Sequence, residues 1–201
     1  MAILLVACTA YLIGSIPFAV LVSRAMGLAD PRGYGSGNPG ATNVLRTGNK
    51  VAALLTLIGD AAKGGIAVAL ASLFQFDDFT IAIAGLSAFI GHLFPITLAF
   101  KGGKGVATAL GVLLALGWKI ALGSLAVWLA VVLSTRISSA AALAAAVAAP
   151  VFATLTGSPP AFVGVTVIMA ALLIWRHTPN IKRILNGTES RVGTKGQKPK
   201  N

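Results

Sequence analysis

Acidic side chains are nearly missing: five Asp and Glu stand against sixteen Lys and Arg in 201 residues. Charged residues of either sign make up only 10% of the chain, where a soluble domain carries about a quarter. So little polar surface excludes a water-soluble globule, and a mean hydropathy of +0.86 points to the bilayer. The single cysteine, Cys8, excludes an intramolecular disulfide. Two histidines and few carboxylates, without ligand spacing, exclude a metal centre, and no cofactor is expected. No interleaving of aromatic and basic residues of the RNA-binding kind occurs, so no nucleic-acid partner is read into the net charge of +11. Lys/Arg loops between apolar spans read instead as membrane topology, with anionic headgroups or substrates nearby. The first apolar run, residues 2–22, has no basic flank before it and no A-x-A-like cleavage site after it, so it is expected to be retained. Heptads and internal repeats of transporter type are absent as well.

What the chain does have is long apolar runs. A span needs roughly 20 apolar residues, and clear runs cover residues 2–22, 51–74, 79–100, 137–155 and 161–175. Residues 105–135 read as one long span or two short ones around Gly117-Trp118-Lys119, and a Trp-Lys pair suits a membrane interface. Charge decides between them. With two spans, Arg24, Arg32, Arg46, Lys50, Lys101, Lys104, Arg136 and the basic tail share one side, opposite Asp77, Asp78, Lys119 and the uncharged turn at 157–160. The expectation is an all-α polytopic membrane protein of about seven transmembrane helices, N-terminus outside and C-terminus inside. Its fourth helix would have only about 14 residues, roughly 21 Å, which also suits a half-helix opening at the active face. The membrane domain is expected over residues 1–186. Residues 187–201, polar and rich in Gly and Lys, read as a disordered cytoplasmic tail. The alanine-rich run at 140–149 reads as helix-packing surface.

Three polar stretches lie on the inner side. In residues 30–46, Gly33, Gly35, Gly37, Pro39 and Gly40 forbid regular helix and let successive N–H groups form an anion nest. Ser36, Asn38, Thr42 and Asn43 add neutral donors, and Arg46 adds a bidentate cation. Gly35-x-Gly37-x-x-Gly40 matches the dinucleotide fingerprint, but it follows a transmembrane helix instead of a strand, so that reading is rejected. The second stretch, Lys101-Gly102-Gly103-Lys104-Gly105, opens an apolar helix, so free N–H groups, a positive helix end and two ammonium groups meet as in a phosphate site. His92 precedes it by about two turns. The third stretch, from Arg176 to Glu189, starts where the last span exits. Snorkelling to headgroups accounts for Lys182 and Arg183, but not for His177, Asn180 or Glu189. On the second helix, Asp60 and Lys63 form an i,i+3 pair on one face, roughly 15 Å from the inner end. A buried pair that orients helices and a functional pair are equally compatible with that position.

These stretches, in this order, resemble the bacterial acyl-phosphate-dependent glycerol-3-phosphate acyltransferase family. The resemblance is carried by Ser36-Gly-Asn-Pro-Gly-Ala-Thr-Asn-Val-Leu-Arg46, by Gly91-His92 with Lys101-Gly-Gly-Lys104-Gly-Val-Ala-Thr108, and by His177-Thr-Pro-Asn180-Ile with Gly187-Thr-Glu189. It implies a seven-helix protein of the bacterial plasma (inner) membrane with its active site on the cytoplasmic side. It also implies acyl transfer from acyl phosphate to the sn-1 hydroxyl of glycerol 3-phosphate, giving lysophosphatidic acid and phosphate. On that resemblance, Ser36, Arg46, Lys104, His177 and Asn180 are expected to be catalytic. Gly37, Asn38, Gly40, Thr42, Asn43, His92, Lys101, Gly102, Gly103 and Gly105 are expected to bind substrate, while Asp60, Lys63 and Glu189 are expected to be structural. The expected partners are the two phosphate substrates and membrane lipids; oligomeric state is not readable. Direct attack on the mixed anhydride needs charge stabilisation more than a covalent intermediate. Ser36 is therefore read as a donor, with no Gly-x-Ser-x-Gly elbow around it. The proton acceptor is left among His177, His92 and a substrate phosphate oxygen, with preference for the substrate because no carboxylate–histidine pair is visible. The His-x₄-Asp pattern of other glycerolipid acyltransferases is absent, Thr97 and Lys182 standing where Asp would. A carrier for phosphorylated metabolites is the alternative, and a headgroup-binding scaffold a third.

Overall fold

Apolar side chains on every face of a run leave the backbone one way to satisfy its N–H and C=O groups in lipid, which is helix. The computed structural model describes residues 1–192, and among these there is no β-strand. The first run is two helices: α1 (Ala2–Gly14) and α2 (Phe18–Ala25). Pro17 has no N–H to continue the ladder, and the carbonyls freed at the break are taken by side chains. Thr97 Oγ1 donates to Ser15 O at 2.7 Å, and Lys63 Nζ donates to Ile16 O at 2.8 Å. The span expected over 2–22 is thus built from two helices broken before Phe18.

A short helix, α3 (Ala41–Val44), and a 3₁₀ turn, Leu45–Thr47, follow the glycine loop. Next come α4 (Lys50–Leu73) and α5 (Asp78–Leu93), each opened by a side-chain cap: Asn49 accepts from Ala52 N and Asp77 from Thr80 N. α5 ends at Leu93, earlier than the apolar run to residue 100 suggested, because Pro95 has no N–H to continue the ladder and draws Phe94 out of the helical region. α6 (Val106–Leu116) has 11 residues, about 16 Å, against a hydrocarbon core of about 30 Å. It is shorter than expected. α7 (Trp118–Thr135) follows at once, so residues 105–135 are two helices, not one. The chain closes with α8 (Ser138–Leu155), α9 (Pro160–Arg176) and α10 (Thr178–Leu185), the last two bent by 59°. Five helical segments are long and apolar enough to cross a membrane, or six if the bent pair counts as one; α6 is a shorter apolar helix.

Helices pack without a hydrophobic driving force in lipid, so close backbone approach at small residues does much of the work. α1 lies on α5 and α4 on α6. A Cβ on Gly14 would strike the Ala88 backbone, and one on Gly111 would strike the Ala61 carbonyl. Large side chains such as Leu5, Leu54, Ile66, Leu133 and Val151 stay exposed on the bundle surface, where lipid would cover them. The described chain continues past the boundary expected at residue 186. Val192 N donates to Arg136 O at 2.7 Å, so residues 187–192 are held on the bundle; residues 193–201 lie outside the described residues.

Candidate active site

The end of the bundle that carries the glycine loops opens into a cavity of about 1170 Å³. Its mouth is polar. The first loop contributes Gly35, Ser36, Asn38, Gly40, Thr42, Asn43 and Arg46; the second contributes Lys104 and Gly105; the third contributes His177, Asn180, Arg183 and Glu189. Asp60 and His92 reach it from α4 and α5. Behind the mouth the walls turn apolar, with Leu57, Leu110, Leu113, Trp128, Ala142, Ala146, Ala149 and Met169. The alanines of α8 are thus more than packing surface: small side chains there leave the chamber open. Gly102 and Gly103 line a separate small cavity with Asp60, Lys63 and His92. Gly37 and Lys101 line neither cavity.

Local chemistry explains the first loop. Asn43, 2% exposed, organises it: Nδ2 donates to Pro31 O at 2.6 Å and to Tyr34 O at 3.2 Å, while Oδ1 accepts from Ser36 N at 3.1 Å. Gly35 has φ +59, and a Cβ there would collide with Asn43 Oδ1, so only glycine lets the chain pass. The Asn43 amide is engaged within the loop, and it presents the exposed Ser36 at the cavity. Beside the same loop, Asp30 and Arg32 pair at 2.6 Å, and this hydrogen bond holds the Asp30 carboxyl below its usual value.

Cations crowd the mouth. Arg46 Nη2 donates to Ser190 Oγ at 2.8 Å. Lys104 is held down to about 8, chiefly by burial and then by the Arg183 charge, with Glu189 opposing. Burial pushes Glu189 up, but hydrogen bonds from Asn180, Ser139 and Arg183 outweigh it, and the carboxyl lies below its usual value. His177 Nδ1 sits 2.8 Å from Leu173 O, which assigns the proton to Nδ1 and leaves Nε2 as acceptor. Asn180 Oδ1 is buried without a hydrogen-bond partner. Such an acceptor is costly unless something donates to it, and the residue that carries it lines the cavity.

Sequence reasoning missed several of these groups. Ser139 and Ser190 enter only through contacts 50 and 144 residues away in the chain. Arg176, read as a flank, donates to Gly102 O at 2.9 Å and Gly103 O at 3.1 Å and lies over the Phe94 ring. A carboxylate–histidine pair, overlooked in the sequence, is present: His92 Nδ1 lies 3.4 Å from Asp60 Oδ1. A signal for it existed, since Phe76 stands midway between the two in the chain and α4 and α5 fold back about that turn.

The family model described as Glycerol-3-phosphate acyltransferase matches residues 4–187. A glycerol-3-phosphate acyltransferase of Laribacter hongkongensis (strain HLHK9) is 61% identical over 190 residues, spanning 92% of this chain and 94% of that protein. One from Aromatoleum aromaticum (strain DSM 19018 / LMG 30748 / EbN1) is 58% identical over 191 residues, spanning 94% and 96%. Among solved structures, the glycerol 3-phosphate form of PlsY (YgiH), an integral membrane glycerol 3-phosphate acyltransferase, superposes with a TM-score of 0.91 at 40% identity. Its lysophosphatidic acid form gives 0.89 at 39%. Each match covers 96% of this chain and 97% of that one.

Proposed function

The chain belongs to the glycerol-3-phosphate acyltransferase family and is an integral membrane enzyme, and from that premise we propose that it transfers an acyl group from acyl phosphate to the sn-1 hydroxyl of glycerol 3-phosphate, releasing inorganic phosphate. The product is lysophosphatidic acid, for phospholipid synthesis. The observation that carries this reading is the continuity of a cationic mouth with an alanine-walled apolar chamber in one cavity. An acyl phosphate is built the same way, with an anionic head on an apolar tail. Its acceptor is a second phosphate anion, and in a relative of the same fold that acceptor and the acylated product are bound forms.

Roles follow from chemistry. Arg46 and Lys104 neutralise the two phosphates, with the first-loop N–H groups and the positive end of α6 adding donors. Asn180 Oδ1 accepts from an acceptor hydroxyl. The glycerol oxygen attacks the acyl carbon, the bond to the phosphate oxygen breaks, and phosphate leaves. Ser36 donates to the carbonyl oxygen, where negative charge develops, and His177 offers Nε2 as an acceptor to a substrate hydroxyl. The proton passes to a substrate phosphate oxygen. His92 has the carboxylate partner that reasoning from sequence lacked, but its Nε2 faces the Gly103 backbone. The test is a donor comparison with product analysis: acyl phosphate should support turnover where acyl-CoA does not, and the product should carry its chain at sn-1.

The topology belongs to the same proposal: seven crossings, N-terminus outside, C-terminus inside, with the site at the cytoplasmic face of a bacterial inner membrane. What supports it is the clustering of basic loops at one end, tied by Arg46 to Ser190, Arg176 to Gly102 and Val192 to Arg136. In a Cys8→Ser background, cysteines at 78 and 158 should label from outside and one at 37 from inside. External labelling at 37 would reverse the orientation.

A further inference from the structure

Asp60, Lys63 and His92 carry ionisable side chains that the reaction above does not use. They are 2%, 3% and 7% exposed, so each must be there for a reason. Lys63 Nζ lies 2.8 Å from Asp60 Oδ1 and also donates to Ile16 O. That pair alone would tie α4 to the broken first span, but it does not account for the histidine. His92 Nδ1 turns to the same Asp60 oxygen at 3.4 Å. At the other side of the ring, a Cβ on Gly103 would collide with His92 Nε2, so the glycine backbone rests directly on the imidazole.

The second loop is therefore clamped from two sides. Below it, Gly103 N donates to His92 O and Gly102 N to Leu93 O, both at 3.1 Å. Above it, Arg176 holds the carbonyls of Gly102 and Gly103. The next residue is Lys104, which lines the large cavity. We propose that Asp60 is a positioning residue: by accepting from Nδ1–H it fixes the His92 ring, the ring seats Gly103, and that seat aims Lys104 at the acceptor's phosphate. Lys63 neutralises the carboxylate so that it can sit in the core. The assignment rests on the reading of Lys104 as a phosphate ligand.

A purely structural ion pair and a positioning carboxylate make different predictions when both ions are removed together. Asp60→Leu/Lys63→Met replaces the pair with apolar side chains, a change that buried pairs often tolerate. With folding checked by thermal unfolding, its KM for glycerol 3-phosphate should rise about 10- to 100-fold. At saturating acceptor, kcat should stay within about threefold, the signature of lost binding. Asp60→Asn/Lys63→Met returns an uncharged acceptor to Nδ1–H and should bring KM back to near wild type. Gly103→Ala leaves the ion pair intact but drives a methyl into the ring, and it should raise KM as the Leu/Met variant does. Should the Leu/Met variant fail to fold, Gly103→Ala decides. Glycerol 3-phosphate binding by calorimetry runs in parallel, so a protein that binds it without transferring an acyl group counts against the proposed reaction, not against the seat. A wild-type KM in folded Leu/Met or in Gly103→Ala overturns the proposal, and so does an Asn/Met variant as impaired as Leu/Met.

Discussion

Asn180 donates through Nδ2 to Glu189 Oε1 at 2.6 Å, and the same oxygen accepts from Ser139 Oγ at 2.7 Å. Arg183 Nε takes the other carboxylate oxygen. Glu189 thus ties α8, α10 and the segment beyond α10 together at the cavity mouth, and it engages the Asn180 amide through Nδ2 while Oδ1 has no partner. Its folded pKa lies below the ordinary glutamate value. The stabilisation is therefore present above that value and is lost as pH falls through the lower, folded one. Glu189→Ala should lower stability by about 1.5–3 kcal/mol and activity with it, read by thermal unfolding and turnover together. Activity lost at unchanged stability would make Glu189 a direct participant.

Lys104 supplies a pH signature. Burial holds it at about 8, so in the free enzyme the ammonium loses its proton as pH rises through that value. The profile of kcat/KM for glycerol 3-phosphate, which reports free-enzyme groups, should fall on the alkaline side near pH 8. Lys104→Arg should retain charge and lose that limb. A limb unchanged in the variant would place it on another group.

Arg46 tests the need for a planar fork. Its Nη2 donates to Ser190 Oγ, and a bound phosphate would replace that contact with two parallel bonds. Arg46→Lys keeps the charge but not the fork, and kcat/KM should drop about 10- to 100-fold. Near-normal turnover in a folded variant would mean that both phosphates bind elsewhere.

The parts of this protein that could be read from the sequence are those where chemistry is local. Glycines beside Ser36 and Arg46, and lysines beside Gly102 and Gly103, each announce themselves within a dozen residues. Asp60 with Lys63 was visible for the same reason, one helical turn apart. The break at Pro17 was hidden because the run around it stays apolar, and the side chains that repair it, Thr97 and Lys63, come from distant helices. The Ser139 and Ser190 contacts depend on how helices stack, which apolar patterning does not encode. The alanines of α8 show the limit from the other side. Small side chains are equally good for close packing and for leaving a chamber open, and only the bundle decides between them.

Ser36 separates direct from covalent transfer. Direct transfer predicts no acyl-enzyme when acyl phosphate is supplied without glycerol 3-phosphate. Ser36→Ala should slow turnover about 10²–10³-fold, as for one lost oxyanion donor. A covalent route predicts a labelled serine and ping-pong kinetics. Intact mass after incubation with donor alone distinguishes them, and a stoichiometric adduct on Ser36 that glycerol 3-phosphate discharges would contradict direct transfer.

The central claim is the reaction itself, and the direct measurement is product formation by purified protein given acyl phosphate and glycerol 3-phosphate. The account predicts lysophosphatidic acid and inorganic phosphate in equal amounts, both abolished when either substrate is left out. Folded protein that makes no lysophosphatidic acid from acyl phosphate, while making it from acyl-CoA, would contradict it.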